Sequence, residues 1–499
     1  MPKHTTAFAG FDADSHPFLK SKLGHVIAGR IVESTSGKDF ETLNPATGKS
    51  LARLARGDVN DIGRAVKAAR AAFEGPWSKW TPYERQALIM RVHDLVNQRF
   101  EEMAWLETLD MGSPITRTRN LKKAALEALS YFATQTTNPT GQLLPNNLAG
   151  HVKSMIVKAP LGVIGGILAW NNPMVGQWFL VGGALATGCT VVLKPAELAS
   201  LSVLYMVNLL HEAGMPEGVV NVVTGYGNEA GSALASHRGV DRIVFTGSVE
   251  TGRRIVEASA SNLKRVQIET GGKSPDIVFS DADLDLAVPG AAMAVFNNSG
   301  QICTAGTRLF VQRNIQEEFV ERLTAFTRTL RIGNGLDPKV QMGPLISQQQ
   351  LERVLGYVDS AVPEGATRAI GGARIRGELA EGYFIEPTVF SNVTHDMRIA
   401  REEIFGPVIS VLPFDTEEEV LRLANDTEYG LGGAVWTRNL STAMRMVDGI
   451  KAGSVWVNCY GWMDIGVGMA GYKLSGYGIK GGPNYVDSFL YDKCVYINV

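Results

Sequence analysis

The most informative segment for the fold class is VIGGILAWNNPMVGQWFLVGGALATGCTVVLKP, residues 163–195. It reads as a buried strand over 163–169, a polar turn, an apolar helix over 177–186 and a second buried strand over 190–193. The surrounding region, 159–193, has no charged residue, and it is long enough to span a bilayer. Asn171, Asn172, Pro173, Gln177 and seven glycines interrupt it, so we expect a soluble protein with a buried core here.

After this segment, helix-like and strand-like stretches continue to alternate as far as residue 260. This alternation predicts a parallel, doubly wound sheet of the α/β class. A second α/β stretch runs over 275–457, and the last segment, 489–499, reads as a strand that needs a partner. On the amino-terminal side, Thr81, Pro82 and Glu84 form a capping box that starts a helix toward residue 99. Gly112 ends what we interpret as the next helix, with its last turns over 103–110.

Composition limits the possible functions. Of 499 residues, 45% are hydrophobic and 20% are charged, and the formal net charge is −2 without any long run of one sign. We therefore expect no nucleic-acid or membrane partner. The amino terminus lacks the apolar stretch of a secretory signal, and Cys189, Cys303, Cys459 and Cys494 contain no CxxC pair, which favours the cytoplasm. The eight histidines show no ligand spacing, so no metal is predicted.

Three polar side chains are candidates for chemistry. Cys303 lies among small residues in GQICTAG (300–306), where a substrate can approach the sulfur. Taken alone, a lone cysteine is more often a buried structural thiol, and a nucleophilic one needs a base and an oxyanion donor. Glu269, before a glycine pair, and Asn171, after an apolar strand, suit these roles. A solvated strand end and a turn residue before proline are the plain alternatives.

A cofactor signal follows the strands. Gly247 and Gly252 form a GxxxxG spacing that opens a helix, whose first amides can meet a pyrophosphate. Lys194 and Glu197 follow another strand, where they can hydrogen-bond ribose hydroxyls. A carboxylate there repels a 2′-phosphate, so NAD is favoured over NADP.

Together, in order and spacing, these pieces resemble the aldehyde dehydrogenase superfamily over essentially the whole chain. The matching strings are AWNNP (169–173), KPAE (194–197), FTGSVETG (245–252), ETGGKSP (269–275), GQICTAGTR (300–308), EEIFGPV (402–408) and GYKLSG (471–476). The resemblance implies a Rossmann-like NAD-binding domain (1–138 and 159–270), a catalytic domain (271–475) and a β-strand oligomerisation arm (139–158 and 476–499). It also implies a homodimer or homotetramer.

The resemblance also implies roles for individual residues. Cys303 matches the nucleophile, Glu269 the general base and Asn171 the oxyanion donor. The implied reaction forms a thiohemiacetal on Cys303, passes hydride to NAD and hydrolyses the thioester with water activated by Glu269. The positions that match cofactor contacts are Ile167, Trp170, Lys194, Glu197, Gly227, Phe245, Thr246, Gly247, Ser248, Thr251, Gly271, Glu403 and Phe405.

The chain departs from the family pattern at a pair of positions. Leu180 stands where many members have lysine, and Lys480 stands where they have the glutamate of a GRE string. Those positions are reported to pair near the proton-exit route of the base. We therefore consider two alternatives: Lys480 takes over part of that site near Glu269, or it is a relocated surface lysine.

The aldehyde tunnel is predicted by the same resemblance. Its wall residues would be Asn172, Val175, Gly176, Phe179, Ile302, Thr304, Trp462, Met463 and Met469. They include no arginine, which argues against a carboxylate-bearing aldehyde. The apolar, adaptable side chains favour a medium or bulky hydrophobic or aromatic aldehyde as the substrate. Betaine aldehyde stays an alternative substrate, because aromatic rings can bind its quaternary ammonium group by cation–π contacts.

Two other functions compete with this one. A CoA-acylating dehydrogenase passes the acyl group to CoA and needs no base to activate water. The presence of Glu269 as a candidate base therefore argues against this function. A non-catalytic scaffold of the same fold would have no need for Cys303, Glu269 and Asn171 together.

Overall fold

The computed structural model describes residues 7–499. Its larger sheet has eight strands, five of which are parallel. The strand order across this sheet is Gly476–Tyr477, Arg265–Glu269, Arg242–Thr246, Val163–Ile167, Thr190–Lys194, Val220–Val222, His25–Ile27 and Arg30–Val32. The three central parallel strands, Val163–Ile167, Thr190–Lys194 and Val220–Val222, are short and wholly buried, as expected for strands covered on both faces. The predicted α/β class is confirmed.

Helices cover both faces of this sheet. They are Val59–Glu74, Pro82–Met111, Ile115–Gln135, Pro173–Thr187, Leu201–Glu212, Ser232–Ser236 and Val249–Ser259. Trp105, Phe132 and Trp178 are fully buried where these helices pack together. The capping box at Thr81 is confirmed, and Gly112 ends the helix in the left-handed region at φ 81°.

The division of residues 82–111 into two helices was wrong. The structure has one continuous helix of 30 residues, Pro82–Met111. After Pro82 the segment contains no glycine or proline, so nothing in the chain breaks the backbone hydrogen bonds.

The second sheet has seven strands and forms a separate α/β layer. Six of them are parallel, and only the edge strand Thr367–Ile370 is antiparallel. The order is Thr367–Ile370, Thr388–Ser391, Val408–Phe414, Arg308–Gln312, Pro275–Val278, Gly432–Trp436 and Ser454–Val457. Its helices are Leu284–Phe296, Gln316–Thr329, Gln348–Ala361, Arg398–Arg401, Glu417–Asn425 and Leu440–Gly449.

A third, three-stranded antiparallel sheet gives the last strand its partner. Leu490–Asn498 pairs along its whole length with Val152–Pro160, which also pairs with Gln142–Leu144. Shorter antiparallel pairs are Ala7–Phe8 with Phe11–Asp12, Asp39–Leu43 with Ser50–Ala55, and Met469–Ala470 with Ile479–Lys480. The proposed division into domains stays a prediction.

The described residues contain neither a membrane-spanning helix nor a cluster of metal ligands. Within residues 7–499, no helix is long and apolar enough to cross a bilayer. The same residues contain no group of three or more histidine, cysteine, aspartate or glutamate side chains that could hold a metal ion.

Candidate active site

The carboxyl ends of the parallel strands gather most of the candidate residues at one edge of the eight-stranded sheet. Ile167 is in register with Lys194 on one side and with Phe245 on the other. Thr246 is in register with Glu269 on the next strand. Since ligands of open α/β sheets bind outside the carboxyl ends of the strands, this edge is where a cofactor is expected.

Lys194 and Glu197 form an ion pair at one end of this edge. The Lys194 ammonium lies 2.9 Å from the Glu197 carboxylate, and the two side chains are 3% and 33% exposed. Burial lowers the pKa of Lys194, while Glu197 opposes that shift. The partly open carboxylate can accept hydrogen bonds from hydroxyl groups of a ligand.

The next feature of the edge is the start of the helix Val249–Ser259. Ser248 caps it, because its hydroxyl accepts a hydrogen bond from the Thr251 amide at 3.3 Å. A side chain at Gly247 would meet the Phe245 ring at 2.5 Å, so the turn accepts only glycine. At Gly227, another position that the resemblance assigns to the cofactor, a Cβ would meet nothing within 4 Å. A phosphate can therefore approach this helix start closely.

At the other end, the loop EEIFGPV closes over the glycines that follow Glu269. A Cβ at Gly271 would lie only 2.0 Å from a Glu403 carboxylate oxygen, and the Gly272 amide donates to that carboxylate at 3.1 Å. Burial raises the pKa of Glu403 to about 7. Phe405, held in the left-handed region at φ 60°, places its ring edge-to-face with Trp170 at 5.2 Å. The residues described along this sheet edge, from Glu197 to Glu403, are suited to binding a dinucleotide at the strand ends.

Cys303 lies on a tightly folded loop. Asn298 and Ser299 adopt left-handed backbone conformations, and Gly300 follows with φ 74°. The Asn298 side chain donates to the carbonyl groups of Asn171 and Gln301, and the Asn171 amide donates to Gln301 at 3.0 Å. These bonds fasten the Asn171 turn to the cysteine loop.

The loop after Glu269 packs directly on the cysteine. A Cβ at Gly272 would come within 2.6 Å of the Cys303 carbonyl oxygen. Burial, together with the nearby carboxylates of Glu269 and Glu403, raises the pKa of the Cys303 thiol to about 12. Lys480 acts in the opposite direction. The half-buried sulfur therefore needs to lose its proton before it can attack a carbonyl carbon.

Glu269 is buried, with 3% exposure. Its carboxylate accepts hydrogen bonds from Lys480 at 3.2 Å, Thr246 at 3.4 Å and Gln267 at 3.5 Å. Because the Lys480 side chain is only 15% exposed and lies against Glu269, the surface-lysine alternative is wrong. Leu180 is fully buried, and a Cβ at Gly166 would meet its side chain at 2.6 Å.

The proposed tunnel residues fall into two groups. Trp462, Met463 and Met469 line a cavity of about 770 Å³, together with Trp456 and Asp464. The other group lies deeper, on the helix Pro173–Thr187 and on the cysteine loop, and none of it lines that cavity within the described chain. It comprises Asn172, Val175, Gly176, Phe179, Ile302 and Thr304.

Two residues that support the site were not anticipated from the sequence. Asn298 ties the Asn171 turn to the cysteine loop, as described above. The Tyr460 hydroxyl donates to the carbonyl group of Thr304, next to Cys303, at 2.6 Å. The string NNSG (297–300) carries a usable signal, because asparagine and glycine favour left-handed turns. Tyr460 carries none, since its partner lies 156 residues away.

Comparison with known proteins agrees with this geometry. Residues 31–495 match the model of the aldehyde dehydrogenase family. Benzaldehyde dehydrogenase from Antirrhinum majus is 44% identical over 94% of this chain and 88% of its own. An NAD+ complex of aldehyde dehydrogenase from Bacillus cereus superposes with a TM-score of 0.95 at 43% identity, covering 99% of this chain and all of the other.

Betaine aldehyde dehydrogenase from Staphylococcus aureus, in complex with NAD+, superposes with a TM-score of 0.94 at 36% identity. The match covers 96% of both chains. The sheet edge, the cysteine loop and the extent of these matches lead to one conclusion: the chain is an enzyme of the aldehyde dehydrogenase family.

Proposed function

We propose that this enzyme oxidises a medium or bulky hydrophobic or aromatic aldehyde to its carboxylic acid, with NAD, through a thioester on Cys303. The observation that carries the proposal is the packing of the loop after Glu269 on Cys303, where a Cβ at Gly272 would lie 2.6 Å from the cysteine carbonyl. This packing places a buried carboxylate and a thiol in one site. A thiol nucleophile and a base are the pair that such covalent catalysis requires.

The first half of the reaction forms the bond to sulfur. Once Cys303 has lost its proton, its sulfur attacks the aldehyde carbon, and the carbonyl electrons move onto oxygen. The Asn171 side-chain amide has two N–H groups, and one of them donates to Gln301. The second is free to stabilise the oxyanion of the thiohemiacetal. Bound NAD would supply the hydride acceptor, and loss of the hydride from the thiohemiacetal carbon would leave a thioester on Cys303.

The second half releases the acid. Glu269 takes a proton from water, the hydroxide adds to the thioester carbon, and the C–S bond breaks with its electrons returning to sulfur. The carboxylic acid leaves, and Cys303 is regenerated. Glu269 therefore has to be ionised before it acts, although it is 3% exposed.

NAD is the proposed cofactor because of Glu197. Its carboxylate, held by Lys194 at 2.9 Å, can bind the ribose hydroxyls and repels the additional phosphate of NADP. The Bacillus cereus and Staphylococcus aureus neighbours in complex with NAD+ support this choice. Four free cysteines are consistent with a reducing compartment such as the cytoplasm.

The substrate class rests on the 770 Å³ cavity. Trp456, Trp462, Met463 and Met469 give it an apolar wall, and Asp464 adds a carboxylate that repels an anionic aldehyde. The relative named for benzaldehyde supports an aromatic substrate. The same rings with Asp464 favour a cationic aldehyde such as betaine aldehyde as the second candidate.

The test is NADH formation across an aldehyde panel, with wild type and Cys303→Ala side by side. We expect benzaldehyde and medium-chain aldehydes to exceed succinic semialdehyde, and the variant to lose activity by at least about a thousandfold. Equal turnover of succinic semialdehyde contradicts the substrate class. If addition of CoA gives an acyl-CoA product, the CoA-acylating alternative is favoured. Faster turnover with NADP than with NAD contradicts the choice of cofactor. A wild-type protein that is inactive on every aldehyde favours the non-catalytic scaffold.

A further inference from the structure

Lys480 contacts the base of the proposed reaction directly. Its ammonium lies 3.2 Å from the Glu269 carboxylate, across 211 residues of sequence, and its side chain is 15% exposed. Two partly or fully buried charges of opposite sign at this distance interact more strongly than a surface pair, because little water screens them. The contact is therefore a candidate for control of the base.

Other groups around Glu269 are weaker partners. Thr246 and Gln267 donate neutral hydrogen bonds at 3.4 and 3.5 Å. The Gln267 carbonyl is in turn occupied by the Arg242 guanidinium. The remaining charged or titratable groups that act on this pocket are the buried phenol of Tyr485 and the carboxylate of Glu403, through Cys303. Lys480 is thus the one cation bonded to Glu269 among residues 7–499.

The backbone fixes where Lys480 lies. It belongs to the short strand Ile479–Lys480, in which it pairs with Met469, a wall residue of the 770 Å³ cavity. Its ammonium also lies 5.5 Å from the centre of the Phe179 ring. A cation–π contact on one side and an ion pair on the other hold the ammonium between the proposed aldehyde tunnel and the base.

We propose that Lys480 is a positioning residue, which holds Glu269 ionised and seated beside the cysteine loop until the thioester has formed. Glu269 does not hydrogen-bond Cys303 within the described chain, so in this state the base is withdrawn from the sulfur. A buried carboxylate costs much free energy to keep charged unless a cation pairs with it. The proposal rests on the proposed function, because it concerns the base of that reaction.

The kinetic test uses Lys480→Met, which keeps the length of the side chain and removes its charge, and Lys480→Arg, which keeps the charge. With benzaldehyde and NAD we expect Lys480→Met to keep a rapid burst of NADH while steady-state kcat falls about tenfold. Lys480→Arg should restore most of kcat.

A second readout needs no turnover. Lys480 lowers the pKa of the Cys303 thiol, so alkylation of Cys303 by iodoacetamide at a fixed pH should slow about threefold in Lys480→Met. The exposed Lys339 supplies the control: Lys339→Met should match wild type in every assay. If Lys480→Met does not fold, Lys480→Gln takes its place.

The outcomes separate the two proposals. A wild-type steady-state kcat and a wild-type alkylation rate in Lys480→Met would overturn the positioning role. An equal fall in Lys480→Arg and Lys480→Met would overturn it as well, since charge would then not matter. A wild type without aldehyde turnover contradicts the proposed function, and the alkylation rates still report on the ion pair.

Discussion

Cys303 is held as a protonated thiol at neutral pH, although the chemistry proposed for it needs the thiolate. Burial, together with Glu269 and Glu403, raises its pKa to about 12. Below that pKa, the thiolate fraction rises about tenfold for each pH unit. We therefore expect the iodoacetamide rate of the free enzyme to rise steadily through the neutral and mildly alkaline range. Mass spectrometry of the modified site measures it, and a plateau near pH 7 contradicts it.

The close contact at Gly271 predicts a specific loss. In Gly271→Ala the new methyl group would fall 2.0 Å from the Glu403 carboxylate, so that side chain has to move away from the Gly272 amide. We expect NAD affinity to fall about tenfold or more, in line with one lost charge-assisted hydrogen bond. Calorimetric titration with NAD measures this.

Gly63 provides the matched control for that substitution. It lies in the helix Val59–Glu74, and a Cβ there would meet nothing within 4 Å. Gly63→Ala should leave NAD affinity unchanged and stabilise the helix by about 0.5–1 kcal/mol. An equal loss of affinity in both variants would show that the Gly271 effect is not local.

At this scale, sequence strings located the candidate residues but not their partners. The motif around Glu269 was recognisable, whereas its ion pair with Lys480 joins residues 211 apart. The sequence left two alternatives for Lys480, and only the folded backbone, which pairs Lys480 with Met469, decides between them. Partners across such distances depend on tertiary packing, which local patterns do not encode.

Among the elements, two of the three glycines in the helix Pro173–Thr187 have opposite surroundings. A Cβ at Gly176 would meet nothing, whereas one at Gly182 would lie 2.2 Å from the Phe132 ring. We expect Gly182→Ala to destabilise the fold by about 1–3 kcal/mol, because the packed core cannot accept the methyl group. Gly176→Ala should be neutral or slightly stabilising. Urea unfolding of both variants measures the difference, and equal midpoints would contradict it.

The same helix predicts a change of selectivity. Gly176→Leu places a side chain in the space that we assign to the tunnel, with no clash at the Cβ. We expect KM for benzaldehyde to rise more than KM for acetaldehyde, by about tenfold in the ratio. An unchanged ratio would place the aldehyde elsewhere.

Element boundaries were predictable where turns and apolar runs alternate. The predicted strand 190–193 is Thr190–Lys194, and the helix predicted at the GxxxxG spacing of Gly247 and Gly252 is Val249–Ser259. Glycine and polar residues mark those ends chemically. The continuous helix Pro82–Met111 was missed because its burial changes along its length. Its first turns are partly exposed and its last turns, from Met103, are fully buried, while the backbone continues unbroken.

For the whole molecule, the three-stranded sheet presents an open edge. All three residues of Gln142–Leu144 are exposed, Leu143 at 70%, and Tyr496 on the opposite outer strand is 65% exposed. Unpaired strand edges with apolar side chains are usually covered by another chain. We expect a homodimer or homotetramer that the double variant Leu143→Asp, Tyr496→Asp shifts toward smaller species in light scattering.

Leu263 supplies the control for this prediction. It is 88% exposed and lies outside the three-stranded sheet, so Leu263→Asp should leave the mass unchanged. A wild type that is monomeric at micromolar concentration would contradict the predicted assembly.

The pairing of Leu490–Asn498 with Val152–Pro160 sets the timing of folding in the cell. Val152 is in register with Asn498, which is synthesised long after it. At ordinary rates of synthesis, the ribosome needs roughly twenty seconds to a minute to make the sequence between them. Throughout that interval the nascent chain exposes an unpaired strand edge, so we expect chaperones to bind it until Leu490–Asn498 has been made.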